Sequence, residues 1–255
     1  MVREMLTVIV LCHGDKQAEL IERLDRNAFG AADLVCVVFS DVTIKPSLSF
    51  PFIGIKATRA FDGFNAGYNR DLALTSVLSK ITTSVVFMDG DCVPSPGLFA
   101  HHKKVLSESK EPIVTFGARI ENGGHDIRES AFAHNGYDLT PTLHVGLDVA
   151  CANLLSIRNH RTVWSCNFGA NASALLKLRH NDRLFHPMFD GYWGGEDTGV
   201  ALAAYYSNCM LVGLDPRQSH VRHVQHDHRF VTRKNLDKML EFEALVKSNY
   251  VTAPP

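Results

Sequence analysis

The chain has 255 residues, with 26 Lys plus Arg against 27 Asp plus Glu, a formal charge of −1. That balance excludes a nucleic-acid binder held by bulk positive charge. With 45% hydrophobic and 21% charged residues, the composition is that of a globular protein and excludes general disorder.

No apolar run approaches the ~20 residues needed to span a bilayer. The opening, Met1 to Cys12, carries an acid before a short apolar stretch and has no small-residue cleavage site, so it reads as a first strand and not as a signal peptide. The six cysteines (Cys12, Cys36, Cys92, Cys151, Cys166 and Cys209) form no CxxC pair. Scattered thiols suit a reducing, cytoplasmic compartment. A cytoplasmic location is the expectation.

Taken in chain order, the first half alternates strand and helix. Thr7 to Leu11 is a buried-strand run. Ala18, Ile21 and Leu24 then recur at helical spacing. Leu34 to Phe39 predicts a second strand ending at Ser40-Asp41, and Pro51 to Ile55 a third. Phe64 to Ile81 predicts a helix with Leu74, Val77, Leu78 and Ile81 on one stripe. Ser84 to Met88 is a fourth strand that stops at Asp89-Gly90-Asp91. This alternation implies an α/β fold with a parallel sheet flanked by helices. Ligands in such sheets bind beyond the carboxyl ends of the strands, where Asp41, Asp89 and Asp91 fall. From about residue 113 to 170 short strands and Gly/Asn-rich loops are expected. Gly191-Tyr192-Trp193-Gly194-Gly195 is a loop before Glu196-Asp197, Val200 to Tyr206 is helical, and 235–249 is an amphipathic terminal helix. With no linker or repeat, residues 1–255 read as one domain. A shift in composition near residue 112 marks a change of role within that domain, between 1–112 and 113–235, and 236–255 reads as a C-terminal helix and tail.

Three groups of residues bear chemistry. Asp89 and Asp91, two apart on a strand-to-loop corner, can hold one hard divalent cation and leave positions open for phosphate oxygens; the same pattern also serves as a polar turn. His220, His223, His226 and His228 supply imidazoles, common ligands of Mn and Zn, and equally make a solvated loop. Imidazole with carboxylate leans toward Mn2+, with Mg2+ as the alternative. Trp193 beside two glycines offers a flat platform for a sugar ring. Glu196 and Asp197 open a helix, where acids suit the dipole and one of them can accept a hydroxyl proton.

Phe87-Met88-Asp89-Gly90-Asp91-Cys92-Val93-Pro94, Phe168-Gly169-Ala170-Asn171-Ala172-Ser173, Trp193-Gly194-Gly195-Glu196-Asp197 and His223-Val224-Gln225-His226 follow in this order. Together they resemble the motifs of GT-A-fold glycosyltransferases. The group most similar in these motifs is the galactosyltransferases and N-acetylgalactosaminyltransferases, including β-1,4-galactosyltransferases and chondroitin-type polymerases. Phe64-Asn65 resembles the Phe-Asn that precedes the DxD helix of the β-1,4 enzymes, although Ala66 stands where their Arg is expected.

The resemblance implies a GT-A (Rossmann-like), mixed, mainly parallel sheet. It implies Asp91 as a metal ligand and Asp89 as a contact to the donor ribose or to the metal. It implies His226 as the metal-ligating histidine, or His223 if the alignment runs on Arg222-His223. Asp41 falls at the uracil site, and Trp193 between donor and acceptor sugars. Asp197 falls at the catalytic base and Glu196 at an acceptor-binding acid. Retaining N-acetylgalactosaminyltransferases carry Asn at the position of Asp197, so the expected reaction is inverting: a hexose or N-acetylhexosamine moves from a UDP-sugar to an acceptor hydroxyl. The acceptor class (glycan, small molecule, protein or modified DNA) stays open. Two rivals accompany this reading. One is a metal-dependent nucleotidyltransferase or nucleotide-sugar pyrophosphorylase, for which Cys12-His13-Gly14-Asp15-Lys16 is a poor phosphate loop. The other is a non-catalytic sugar-binding module.

Overall fold

The computed structural model describes residues 4–24, 26–44, 46–57, 65–78, 83–121, 165–191, 194–215, 218–224 and 233–251. Its main sheet is built on three strands whose residues are buried on both faces. These are β1 (Leu6–His13), β2 (Leu34–Ser40) and β4 (Ser84–Asp89). Apolar strands covered on both sides are what parallel pairing between helices requires. β1 runs parallel to both neighbours, and β3 (Ile53–Lys56) extends the sheet beyond β2. The third strand thus begins two residues later than the sequence reading placed it.

Beyond β4 the sheet changes direction. β8 (Phe168–Asn171) pairs antiparallel with β4 and with β6 (Ile113–Phe116), and β6 pairs parallel with β9 (Met210–Gly213). The order of the seven strands is β3-β2-β1-β4-β8-β6-β9. A second sheet of three strands places β10 (His220–His223) between β5 (Cys92–Pro94) and β7 (Ala118–Glu121). It grows from the loop after β4, and so docks the histidine segment beside Asp91.

Alternation along the strands sends side chains to two core layers. Ile9, Leu11, Val38, Val85 and Phe87 face one side. There they meet α2 (Ala66–Leu78), α4 (Ala172–Leu178) and α5 (Glu196–Tyr206). Leu6, Val8, Val10, Val37, Val86 and Met88 face the other, against α1 (Gly14–Arg23) and α3 (Leu98–Glu108). α3 went unread in the sequence because its polar His and Lys residues interrupt the apolar stripe. A terminal helix, α6 (Arg233–Val251), packs Phe242 and Val246 on Phe189 and Leu202. Among the described residues no helix is long and apolar enough to cross a membrane.

One polar group in this core makes a pH prediction. His102 of α3 is fully buried against the main sheet. Asn167 spends its amide nitrogen on the carbonyls of Ala118 (3.0 Å) and Ser219, so its Oδ1 accepts from His102 Nε2 at 2.9 Å. His102 Nδ1 then accepts from the Thr115 hydroxyl at 2.8 Å. Gly117 lies alongside, and a Cβ there would meet Asn167 Nδ2 at 2.4 Å, which leaves room for glycine only. Burial pushes the His102 imidazole down from 6.5 to about 4, with the Asn167 bond opposing and the His101 charge adding. The folded pKa is depressed, so the stability from the neutral ring is complete above pH 6.5 and lost as pH falls toward 4. At 1.36 kcal/mol per unit, about 2–3 kcal/mol is lost by pH 4.5. Urea unfolding at pH 7 and pH 4.5 should show that difference shrink in His102→Gln; equal pH slopes in variant and wild type would refute it.

Candidate active site

The strand register brings the acids to one edge. His13 pairs with Ser40 and Leu11 with Asp89, so β1, β2 and β4 end together. The Gly90 N–H donates to the Leu11 carbonyl at 2.7 Å, and a Cβ on Gly90 would lie 3.0 Å from the Cys12 Cα. The turn between Asp89 and Asp91 is therefore pressed onto β1, which a glycine permits.

Asp91 is held from two directions. Its Oδ2 accepts from Gln17 Nε2 at 3.0 Å, while Gln17 Oε1 accepts from the His13 N–H at 2.7 Å. On the other side His223 Nε2 lies 3.4 Å from Asp91 Oδ2. The register explains the meeting: His223 pairs with Cys92 across β10 and β5, and the Val224 N–H donates to the Asp91 carbonyl at 2.8 Å. Arg119 Nη2 lies 3.2 Å from His223 Nδ1. An arginine only donates, so Nδ1 accepts and the ring proton sits on Nε2, facing Asp91.

The second acidic motif stands across the edge. Gly194 and Gly195 have φ of 76° and 95°, the left-handed region that glycine enters without penalty. They turn the chain so that α5 opens on Glu196-Asp197. Neighbours on a helix point about 100° apart, and the two carboxylates separate accordingly. Glu196 is 5% exposed and its Oε1 accepts from Arg70 Nη1 at 2.9 Å. Asp197 is half-buried; its Oδ2 accepts from the Ser165 N–H at 2.9 Å and its Oδ1 from the Thr198 N–H at 2.7 Å. Burial, and then the Asp197 charge, push Glu196 up to about 7 against the pull of Arg70. Asp89 is also raised, by burial first; Arg70 draws it down and Asp91 adds to the rise.

At the far side of the edge Asp41 holds φ 54°, and its Oδ2 lies 3.8 Å from His13 Nδ1. The loop after it is tied to α1 by Asp15, which accepts from the Thr43 N–H at 2.7 Å and the Ile44 N–H at 3.2 Å. These bonds, led by the Thr43 hydroxyl, hold the exposed Asp15 carboxyl below its ordinary value.

The edge thus gathers Asp41, Asp89, Asp91, His223, Glu196 and Asp197. Trp193 and His226 lie outside the described residues. Sequence reasoning missed Arg70, Gln17 and Arg119. A signal for Arg70 existed: it stands four residues before Leu74 and seven before Val77, on the helix face those residues bury.

Among the described residues no three His, Cys, Asp or Glu side chains converge into a cation cage. Two do approach: Asp91 Oδ2 and His223 Nε2. Ligands at right angles, each ~2.1 Å from one ion, stand roughly 3.0 Å apart, close to the 3.4 Å between these atoms. Carboxylate plus imidazole suits Mn2+, and a two-residue site leaves positions for ligand oxygens. The donor set fits such a cation once the His223 proton moves to Nδ1 and Arg119 releases that nitrogen.

No protein-family model and no curated protein matches this chain. Among solved structures it is similar to S. aureus TarS 1–349, with a TM-score of 0.58 and 16% identity over 98% of this chain and 66% of that one. It is also similar to GalNAc-T7 with UDP, GalNAc and Mn2+, with a TM-score of 0.56 and 13% identity over 96% of this chain and 48% of that one. The chain spans about half to two thirds of the length of these solved chains. At such identities the likeness establishes architecture: a seven-stranded, mainly parallel sheet flanked by helices, in the fold of the GT-A glycosyltransferases.

Proposed function

We propose that the chain is a metal-dependent glycosyltransferase that moves a hexose or N-acetylhexosamine from a UDP-sugar to an acceptor hydroxyl with inversion. The observation that carries this reading is the convergence of Asp89-Gly90-Asp91 and Glu196-Asp197 on one sheet edge, with Arg70 touching both groups. GalNAc-T7, similar in fold, was solved with UDP, GalNAc and Mn2+, the ligand classes this reading assigns.

Asp91 and His223, joined by His226 in the resemblance, would hold Mn2+, or Mg2+ in its place. When bound, the ion supplies Lewis-acid neutralisation of the leaving diphosphate. Asp41, at the end of β2, takes the uracil, and Asp89 the ribose side of the donor. Asp197 accepts the proton of the attacking hydroxyl: its carboxylate is anchored by the Ser165 and Thr198 N–H groups and remains partly open. Trp193 stacks the sugars. In this division residues 1–112 serve the donor and 113–235 the acceptor.

The test is calorimetry with UDP, with and without Mn2+, followed by hydrolysis of UDP-Glc, UDP-Gal, UDP-GlcNAc and UDP-GalNAc. Mn2+-dependent UDP binding and release of one free sugar are expected. Pyrophosphate release from a nucleoside triphosphate would instead select the nucleotidyltransferase, and binding of sugar alone the silent module. For stereochemistry, a UDP-α-sugar should yield a β-linked product, read from the anomeric NMR coupling. An α-linked product removes the inverting assignment.

A further inference from the structure

Burying an arginine is costly unless its charge is matched. Arg70 is 2% exposed, and it meets two carboxylates from different parts of the chain. Its Nη1 donates to Glu196 Oε1 at 2.9 Å and its Nη2 to Asp89 Oδ1 at 2.5 Å. Its guanidinium carbon lies 5.7 Å from the Phe185 ring centre. Its Nε has no hydrogen-bond partner among the described residues. Its fork is spent on two acids.

Those acids belong to the two halves of the candidate site. Asp89 ends β4 two residues before Asp91, and Glu196 opens α5 one residue before Asp197. The guanidinium is planar and rigid, so the spacing of carboxylates on its two ends is set by the fork. α2 and α5 are already in contact one turn earlier, where a Cβ on Gly67 would lie 3.3 Å from the Glu196 Cβ.

We infer that Arg70 is a positioning residue: by gripping Asp89 and Glu196 together, it fixes Asp197 relative to the Asp91 side of the site. This rests on the glycosyl-transfer reading above. It gives Glu196 a different task from the acceptor contact expected from the resemblance. Arg70 itself does not touch the reacting atoms; it acts through the two acids.

Lysine keeps the charge but lacks the fork, and cannot hold both carboxylates in one plane. Arg70→Lys should therefore fold, bind Mn2+–UDP within about threefold of wild type, and lose about 100-fold in kcat, the scale of a small misplacement of a reacting group. Glu196→Gln should lose about tenfold in kcat with its acceptor KM unchanged. The double variant should be no slower than Arg70→Lys, because both changes cut one link. Wild-type kcat in Arg70→Lys, or losses that multiply in the double variant, overturns the inference. If Arg70→Lys does not fold, Glu196→Gln decides: a rise in acceptor KM with kcat intact assigns Glu196 to the acceptor and overturns the link. A wild-type protein inert in both UDP binding and transfer overturns the glycosyl-transfer reading and this inference with it; an active wild type with an unaffected Arg70→Lys overturns the inference alone.

Discussion

Asp197→Asn should lower kcat by roughly 10²–10⁴-fold, the usual contribution of a positioned general base. An acceptor hydroxyl is too weak an acid to ionise unaided near neutral pH, so its proton needs a destination as the new bond forms. Asparagine keeps the size of the side chain and can still accept from the Ser165 N–H, which lies 2.9 Å from Asp197 Oδ2. It lacks the charge and the basic lone pair, and its amide nitrogen cannot accept from the Thr198 N–H as Asp197 Oδ1 does. Donor affinity should stay within about twofold, because the Asp91 side of the site is untouched, and equal losses in kcat and kcat/KM are the signature of an interaction made only in the transition state. Glu196 is the internal rival: it is raised to about 7, a value suited to a base. Against it stand its burial and its bond to Arg70, which commit one oxygen and shield the carboxylate from a substrate. Saturating kcat in Asp197→Asn equal to wild type would transfer the role to Glu196 or to a more distant acid.

How much of this was legible in sequence depends on the range of the signal. β1, β2 and β4 announced themselves because burial on both faces demands an unbroken apolar run, a local pattern. Their carboxyl ends followed, and with them Asp41, Asp89 and Asp91. β8 is different. Phe168-Gly169-Ala170-Asn171 is too short to reveal a strand, and nothing local says that it runs antiparallel between β4 and β6. The helix 64–81 was read on the apolar stripe of Leu74 and Val77. The observed α2 starts at Ala66, and it buries Asn69, Arg70 and Asp71 as well. Polar burial of this kind depends on partners distant in sequence: Arg183 and the Leu184 N–H for Asp71, Asp89 and Glu196 for Arg70. A periodicity count treats such residues as the wet face. The approach of His223 to Asp91 likewise needed the β10–β5 register, which no single segment encodes. The helix expected from Val200 begins four residues earlier because two glycines, not a side-chain cap, start it.

Asp91→Ala should abolish metal-dependent UDP binding. Asp91 is where the two sheets meet: its Oδ2 accepts from Gln17 of α1 and faces His223 of β10, and its carbonyl accepts from Val224. Alanine removes a direct anionic ligand and, with it, the acceptor of the Gln17 amide. Residues that only support a metal ligand typically cost 10–100-fold in affinity when lost, so a ligand itself should cost more than about 100-fold. Asp91→Asn separates charge from shape, since its amide oxygen can still accept from Gln17. It should keep the fold and lose most of the Mn2+ dependence. The histidine partner is settled in the same titration. His223→Ala should weaken Mn2+–UDP binding if the ring beside Asp91 is the ligand. His226→Ala should do so if the resemblance to the N-acetylgalactosaminyltransferases holds at that position. Arg119→Ala adds a check on the first case: it frees His223 Nδ1 to carry the ring proton and so should tighten Mn2+ binding through Nε2. Mn2+–UDP affinity unchanged in Asp91→Ala would remove the DxD motif from metal binding, and the paired acids would then be a polar turn fastened to Gln17.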